Sequence, residues 1–321
     1  MKSSFFYPLI GYLLLAVACG PNVPKQQHPH LGGNVEEAIF QGMSLLGDSL
    51  VTQVDSTKQR QQFLDLQLAE DTYEDDPSLE NLIWVGRREA YLGRHDLAIR
   101  TYTKAIREFP NAFEPLRHRG HRYISIREFD RAVLDLLKAS ELMEGRPLQI
   151  EADGIPNKLN IPLSSVQFNV WYHLGLAYYL NNDWEKASEA YKSCLEVSDN
   201  DDLQVATLDW YYMTLVKMGR KEEAKQAISS VRENAEIIEN DAYHKRILLY
   251  QGKLAPETLL ASDNEDALQY VTQGYGLGNY YLSLGDTSKA VQIFQKVIDT
   301  GYWSAFGYIA SEMELAKLVN D

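Results

Sequence analysis

Cysteine is scarce in this chain: of its 321 residues, only Cys19 and Cys194 are cysteines. A framework of several disulfides is therefore excluded, and a single disulfide would have to join these two. Positive charge is also in short supply, since 31 Lys and Arg stand against 45 Asp and Glu, for a formal net charge of −14. Nucleic-acid binding depends on Lys and Arg that neutralise phosphates, so we predict no nucleic-acid partner.

The motifs of common enzyme classes are missing as well. The chain has no Walker-type glycine loop, no G-x-S-x-G and no dinucleotide-binding fingerprint. His118, His121 and His173 could supply zinc ligands, but no acidic base or cysteine pair accompanies them at motif spacing. We therefore predict no catalytic residue, no metal and no cofactor, and a metal-dependent hydrolase stays only a remote alternative.

Long hydrophobic runs are absent apart from one near the N-terminus. Residues 5–17 are apolar, follow Lys2, and are too few to span a bilayer comfortably. Ala16-Val17-Ala18 precedes Cys19 and resembles a bacterial lipobox, so we predict a signal peptide at 1–18 and acylation of Cys19. Ordinary cleavage at the A-x-A site is the alternative. The lipid would be the only membrane contact of this exported envelope protein, and the lack of aspartate after Cys19 favours the outer membrane.

The most informative feature that is present is a repeated pattern of small and large apolar residues. Ala98 and Ala132 lie 34 positions apart, and a large apolar residue, Tyr102 or Leu136, follows each by four positions. Further copies begin at Ala187, Ala224 and Ala290. Before the third copy the chain reads W-x2-L-G-x2-Y, with Trp171, Leu174, Gly175 and Tyr178.

This period and these residues resemble the tetratricopeptide repeat, a helix-turn-helix unit of 34 residues. The resemblance implies an all-α fold, a right-handed solenoid with degenerate terminal caps, and a role in binding rather than catalysis. In such a unit the small residues lie where the first and second helices meet. We therefore expect four alanines to be buried at those contacts: Ala98, Ala132, Ala187 and Ala290.

The repeats divide the chain into segments. A lipidated Cys19 and a flexible tether rich in Pro, Gly, Gln and His occupy 19–34, and an N-terminal helical cap is predicted at 35–78, with helices near 35–46 and 56–73. The segment 145–165 contains three prolines and two glycines and has no helical period, which predicts an inserted loop, placed at 147–167. The remaining segments are repeats 1 and 2 at 79–146, repeats 3 and 4 at 168–238, a degenerate repeat at 239–270, a repeat at 271–303, and a C-terminal capping helix at 304–321.

A candidate binding site lies on the first helices, which line the concave groove in this family. The stretch 117–122 reads RHRGHR and is unusually basic for so acidic a chain. Arg87, Arg117 and His121 are expected to converge there, with Glu151 and Asp153 of the loop as stand-in anions. The predicted groove residues are Trp84, Arg87, Arg117, His118, His121, Tyr172, His173 and Tyr179. The alternative is an ion-pair network with neighbouring acids such as Glu89, Glu114 or Asp130.

Three functions remain open at this point. The first is an envelope-tethered scaffold whose concave groove binds a protein or peptide partner. The second is a receptor for a small anionic ligand or glycan, closed by the 147–167 loop, since arginine can engage an oxyanion with two parallel bonds. The third is the remote hydrolase. The sequence does not specify the partner or the oligomeric state.

Overall fold

The structure is a computed structural model that describes residues 36–260 and 266–320. The predicted signal peptide, Cys19 and the tether lie outside the described residues. Within the two described ranges, none of the helices is both long enough and apolar enough to cross a membrane.

The described residues form one hairpin and fourteen helices. In chain order they are β1 (Glu36–Met43), β2 (Ser49–Asp55), α1 (Arg60–Asp75), α2 (Leu79–Tyr91), α3 (His95–Glu108), α4 (Glu114–Ser125), α5 (Phe129–Met143), α6 (Val166–Leu180), α7 (Trp184–Glu196), α8 (Asp201–Lys217), α9 (Lys221–Ile228), α10 (Asp241–Tyr250), α11 (Pro256–Leu259), α12 (Ala267–Ser283), α13 (Thr287–Ile298) and α14 (Phe306–Asn320).

The helices form a solenoid of paired helices, which confirms the predicted fold class. The first helices of successive pairs pack on one another in the order α2, α4, α6, α8, α10, α12 and α14, and we call them the A layer. The second helices α3, α5, α7 and α13 each pack between their own first helix and the next one. Each unit therefore contacts its neighbours along the chain, as a repeat array requires.

The repeated small residues act as the sequence predicts. Ala98, Ala132, Ala187 and Ala290 have no exposed surface. On four of the first helices, α2, α4, α6 and α12, a glycine faces the large apolar residue of the second helix sixteen positions later. At Gly175, for example, a Cβ atom would lie 2.6 Å from the ring of Tyr191. The same pairing recurs as Gly86 with Tyr102, Gly120 with Leu136, and Gly278 with Phe294.

The turns between paired helices use the left-handed backbone region. Gly93, Gly219 and Gly285 adopt φ angles of 74°, 75° and 83° there, as their positions predict. In the other two repeats the equivalent turn residues are Arg127 and Asn182, with φ angles of 68° and 62°. Arg127 is thus held in a conformation that non-glycine residues rarely adopt, and its side-chain contacts explain why it is there.

The predicted helix at 35–46 is wrong, because residues 36–55 form an antiparallel β-hairpin. Gly47, at φ 91°, lies in the turn, and the Ser44 amide donates to the Asp48 carbonyl. β2 contains β-branched residues, and its alternate side chains Leu50 and Val54 are buried on one face. That period of two favours a strand. The second predicted helix is present as α1, so the N-terminal cap consists of one hairpin and one helix.

The last helix packs back against earlier repeats. α14 contacts α12, α13 and also α6. Glu312 of α14 forms an ion pair with Arg127, and Trp303, just before α14, donates from Nε1 to the Val51 carbonyl of β2 over 3.1 Å. As a result α6 is buried on all sides, with 13 of its 15 residues buried. The A layer is therefore covered by the chain itself in the part where α14 meets α6.

Candidate functional site

Arg117 of α4 pairs with an acid from the inserted loop. Its Nε atom lies 3.1 Å from Oε2 of Glu151, and its Nη1 atom lies 3.0 Å from Nδ1 of His118. All three side chains are buried. Burial lowers the pKa of the Arg117 guanidinium, and the Glu151 carboxylate opposes that shift. Of the two loop acids predicted as stand-in anions, Glu151 therefore pairs with Arg117, while burial raises the pKa of Asp153 and the Arg87 charge opposes that rise.

His121 of α4 and His173 of α6 lie against the start of α14, and His118 lies one turn before His121 on α4; we call these three residues the imidazole cluster. The rings of His121 and His173 have centroids 4.3 Å apart, and both contact Phe306 of α14, at 5.1 and 5.6 Å. His118 stacks on Tyr102. Burial lowers the pKa of each imidazole well below its usual value, and nearby arginines lower it further. These histidines are accordingly neutral at pH 7.

The other predicted groove residues divide between two places. Trp84 is half-buried on α2, and the Arg87 guanidinium lies 4.3 Å from its ring centroid. Tyr172 and Tyr179 belong instead to a buried network: Trp210 Nε1 donates to the Tyr172 hydroxyl over 2.8 Å, and the Tyr179 and Tyr275 hydroxyls are 2.6 Å apart. The eight residues therefore do not line one open groove, because the inserted loop, Phe306 at the start of α14 and the aromatic side chains of α8 and α12 each cover some of them.

The A layer also contains a buried ion pair that is not among the predicted site residues. Oδ2 of Asp209 on α8 lies 2.7 Å from Nη2 of Arg246 on α10, and neither side chain has exposed surface. The guanidinium is surrounded by aromatic rings at 5.4 to 5.6 Å, those of Trp210, Tyr243 and Tyr275. Burial raises the pKa of Asp209 to about 7, although Arg246 opposes that shift. Asp209 is the one acidic residue in the mainly apolar run 203–216 of α8, and that isolated charge was the available signal for such a pair.

No three His, Cys, Asp or Glu side chains converge as a metal site within the described ranges. Cys194 is buried, and burial raises the pKa of its thiol to about 12, so it is a packing residue rather than a nucleophile.

Two features face outward instead. A cleft with a volume of about 210 Å³ opens between α1 and α2. It is lined by Asp65, Leu68, Ala69, Thr72, Asn81, Trp84 and Arg88. In the inserted loop, five aliphatic side chains are at least half exposed: Leu148, Ile150, Ile155, Leu159 and Ile161. Apolar side chains concentrated on a surface in this way are typical of a protein-binding region.

Comparison with known proteins agrees with this architecture. Residues 168–201 match one tetratricopeptide repeat family model, and residues 275–300 match a second. The chain therefore contains at least two segments of the tetratricopeptide repeat type, and both lie within its paired helices. No curated protein matches it significantly.

Solved structures resemble it at low identity. A tetratricopeptide repeat protein from Parabacteroides merdae is 16% identical, with a TM-score of 0.46, over 82% of this chain and 94% of that one. YrrB, a tetratricopeptide repeat protein with an unusual peptide-binding site, is 16% identical, with a TM-score of 0.41, over 72% and 91% of the respective chains. Neither similarity assigns a partner to this chain.

Proposed function

We propose that this protein is an envelope-tethered scaffold that binds a protein partner through its inserted loop. The observation that carries the proposal is the set of five exposed aliphatic side chains between Leu148 and Ile161. α14 covers the A layer where it meets α6, whereas the aliphatic side chains of the loop are accessible.

The loop is held in place by contacts at both of its ends. The Gln149 amide donates to Oε1 of Gln167, whose Nε2 donates to the Pro147 carbonyl. Glu151 is anchored to Arg117, and Ile150 and Ser165 form an isolated antiparallel bridge. Because these contacts already order the loop, binding of a partner would cost less conformational entropy than binding to a flexible loop. Fully burying one Leu or Ile side chain contributes roughly 1.5–3 kcal/mol, so a few such contacts support a specific complex.

Site-specific crosslinking tests the loop directly. A photoreactive amino acid at Ile155, which is 77% exposed, should give one discrete adduct in the producing cells. The same amino acid at Leu134, which is 68% exposed on α5, is the matched control and should give none. Equal adducts at the two positions, or no adduct at Ile155, would contradict the proposal.

The tether depends on Cys19. The Cys19→Ala variant should lose metabolic fatty-acid labelling and leave the membrane fraction, because the proposed lipid supplies the membrane attachment. Mass spectrometry of the wild-type protein is the decisive check: a free N-terminus without fatty acid would exclude the lipoprotein assignment and leave the loop proposal intact.

The alternative of a small-anion receptor receives less support. The carboxylate that neutralises Arg117 comes from Glu151 of the chain itself. The cleft of about 210 Å³ lies elsewhere, between α1 and α2.

A further inference from the structure

The cleft between α1 and α2 has an apolar interior. The half-buried indole of Trp84 lies beside Leu68 and Ala69, and Leu64, one turn before Leu68 on α1, is also exposed. Leu68 itself is 67% exposed, which is unusual for leucine on a helix that packs against another. The Arg87 guanidinium at 4.3 Å holds the Trp84 ring, so the apolar surface is formed before a ligand arrives.

The polar groups around the cleft are already bonded within the chain. The Thr72 hydroxyl donates to the Leu68 carbonyl over 2.7 Å, and the Asn81 amide nitrogen donates to the Asp76 carbonyl over 2.9 Å. Asp65 accepts hydrogen bonds from Gln61 and Arg88. Because these groups are engaged, the surface that a ligand would gain by entering is mainly hydrocarbon and aromatic. One bulky aliphatic or aromatic side chain suits that interior.

The surface next to the cleft is strongly acidic. Five carboxylates on the second half of α1 and the start of α2 are exposed, and none forms an ion pair with a described Lys or Arg: Asp71, Glu74, Asp75, Asp76 and Glu80. The last turn of α1 contains no basic residue. The C-terminal end of a helix carries a partial negative charge, so acids placed there are unfavourable until a cation approaches. This surface therefore favours positive charge beside the cleft.

We infer that the cleft binds a basic peptide segment of a protein partner, with one bulky apolar side chain against Trp84 and Leu68 and Lys or Arg side chains against the acids of α1. The inference rests on the proposed scaffold function and names a second contact surface with its partner chemistry. Asp71 and Asp75 lie three and seven residues after Leu68. At 1.5 Å per helical residue they are about 5 and 10 Å along the axis. An extended peptide at roughly 3.3 Å per residue covers those distances in about 1.5 and 3 residues. Because side chains of an extended peptide alternate between its faces, the basic residues should stand about two to four positions from the anchor.

Fluorescence anisotropy with synthetic peptides tests this inference on the full chain. The probes are labelled nine-residue peptides with a central leucine and lysines two, three or four positions away, tested separately. We expect at least one to bind saturably, at least tenfold more tightly than its glutamate counterpart and at least tenfold more tightly than the peptide with alanine at the centre. Added salt should weaken the binding, because the contacts to α1 are between exposed charges.

Protein variants locate the site. Leu68→Ser and the double variant Asp71→Lys, Asp75→Lys should each weaken binding at least tenfold, and circular dichroism should show unchanged folding because all three side chains are exposed. Leu134→Ser on α5 is the control and should bind as the wild type does. The inference is overturned if no lysine peptide binds, if lysine and glutamate peptides bind equally, or if Leu134→Ser weakens binding as much as Leu68→Ser.

The loop crosslink separates this inference from the proposed function. A discrete Ile155 adduct together with peptides that fail to bind would overturn the cleft inference alone. Peptide binding that depends on Leu68, without any Ile155 adduct, would support the cleft and overturn the loop as the partner surface.

Discussion

The ion pair between Arg127 and Glu312 should be the strongest single tie between α14 and the earlier repeats. The Arg127 side chain is 3% exposed and that of Glu312 is 1% exposed. The pair is bidentate, with Nε to Oε2 at 2.9 Å and Nη2 to Oε1 at 2.8 Å. Nη2 also donates to the Trp303 carbonyl over 2.9 Å, and Nη1 donates to the Ser125 carbonyl. These contacts also hold Arg127 at its positive φ.

Glu312→Ala leaves the Arg127 charge buried without its carboxylate. Removal of one partner from a buried pair costs about 3–5 kcal/mol, which corresponds to a fall in Tm of roughly 5–8 °C for a chain of this size. The control is Glu141→Ala, because Glu141 pairs with Lys138 at 2.9 Å and both side chains are more than half exposed. That change should cost less than about 1 kcal/mol.

A double variant distinguishes the cost of the unpaired Arg127 charge from the cost of the lost side-chain contacts. Arg127→Met with Glu312→Met removes both charges and leaves two carbonyls without their guanidinium donors, so it should cost about 2 kcal/mol and less than Glu312→Ala. The assay is urea unfolding followed by circular dichroism, with hydrogen exchange of 306–320 to detect early release of α14. A cost for Glu312→Ala no larger than that for Glu141→Ala would refute the reasoning. A double variant that costs as much as Arg127→Met and Glu312→Met added together would refute it as well.

Two further predictions concern the repeat core and the buried histidines. Ala132→Leu should destabilise the protein by about 1–3 kcal/mol, because the residue has no exposed surface at a close helix contact. The control Ala152→Leu, in the exposed loop, should change stability by less than about 0.5 kcal/mol. Similar urea midpoints for the two variants would mean that the repeat register is misplaced. Acidification from pH 7 to 5.5 should also lower the free energy of unfolding, because the imidazole cluster and His95 have folded-state pKa values well below the unfolded value near 6.5. Their contribution is complete above pH 6.5 and is lost as the pH falls, by at most about 1.4 kcal/mol per pH unit for each histidine. Asp209, with its pKa raised to about 7, contributes a slope of opposite sign, so stability that is unchanged or higher at pH 5.5 would contradict the prediction.

For the basic stretch 117–122, the repeat pattern predicted some of the contacts correctly but not the exposure of its side chains. Loop acids were expected beside Arg117, and Glu151 is there. The pattern also placed His121 and His173 in an open groove, but Phe306 covers both. The signal was present in α6, whose sequence VQFNVWYHLGLAYYL is apolar on all sides. A helix with no polar face is buried all round, so an open groove along α6 was never compatible with its composition.

The hairpin was missed for a similar reason. The repeat analogy predicts a helix at 35–46 and no strand at 49–55, although Leu50 and Val54 stand at a strand period. The hairpin is stabilised by contacts distant in sequence: the Thr52 hydroxyl donates to the Gly93 carbonyl, and Trp303 donates to the Val51 carbonyl. A short two-stranded sheet is marginal by itself, so these contacts decide that it forms.

The sequence alone determined the repeat architecture, because its determinants are close together along the chain. The buried alanines, the glycines that face Tyr102 or Tyr191, and the turn residues at positive φ all act within one or two units of 34 residues. The tertiary structure alone decided which surface remains open. That outcome depends on Glu312 reaching Arg127 across 185 positions and on α14 covering α6. No local pattern specifies such a pairing, because the energy of a buried charge depends on whether a distant partner arrives beside it.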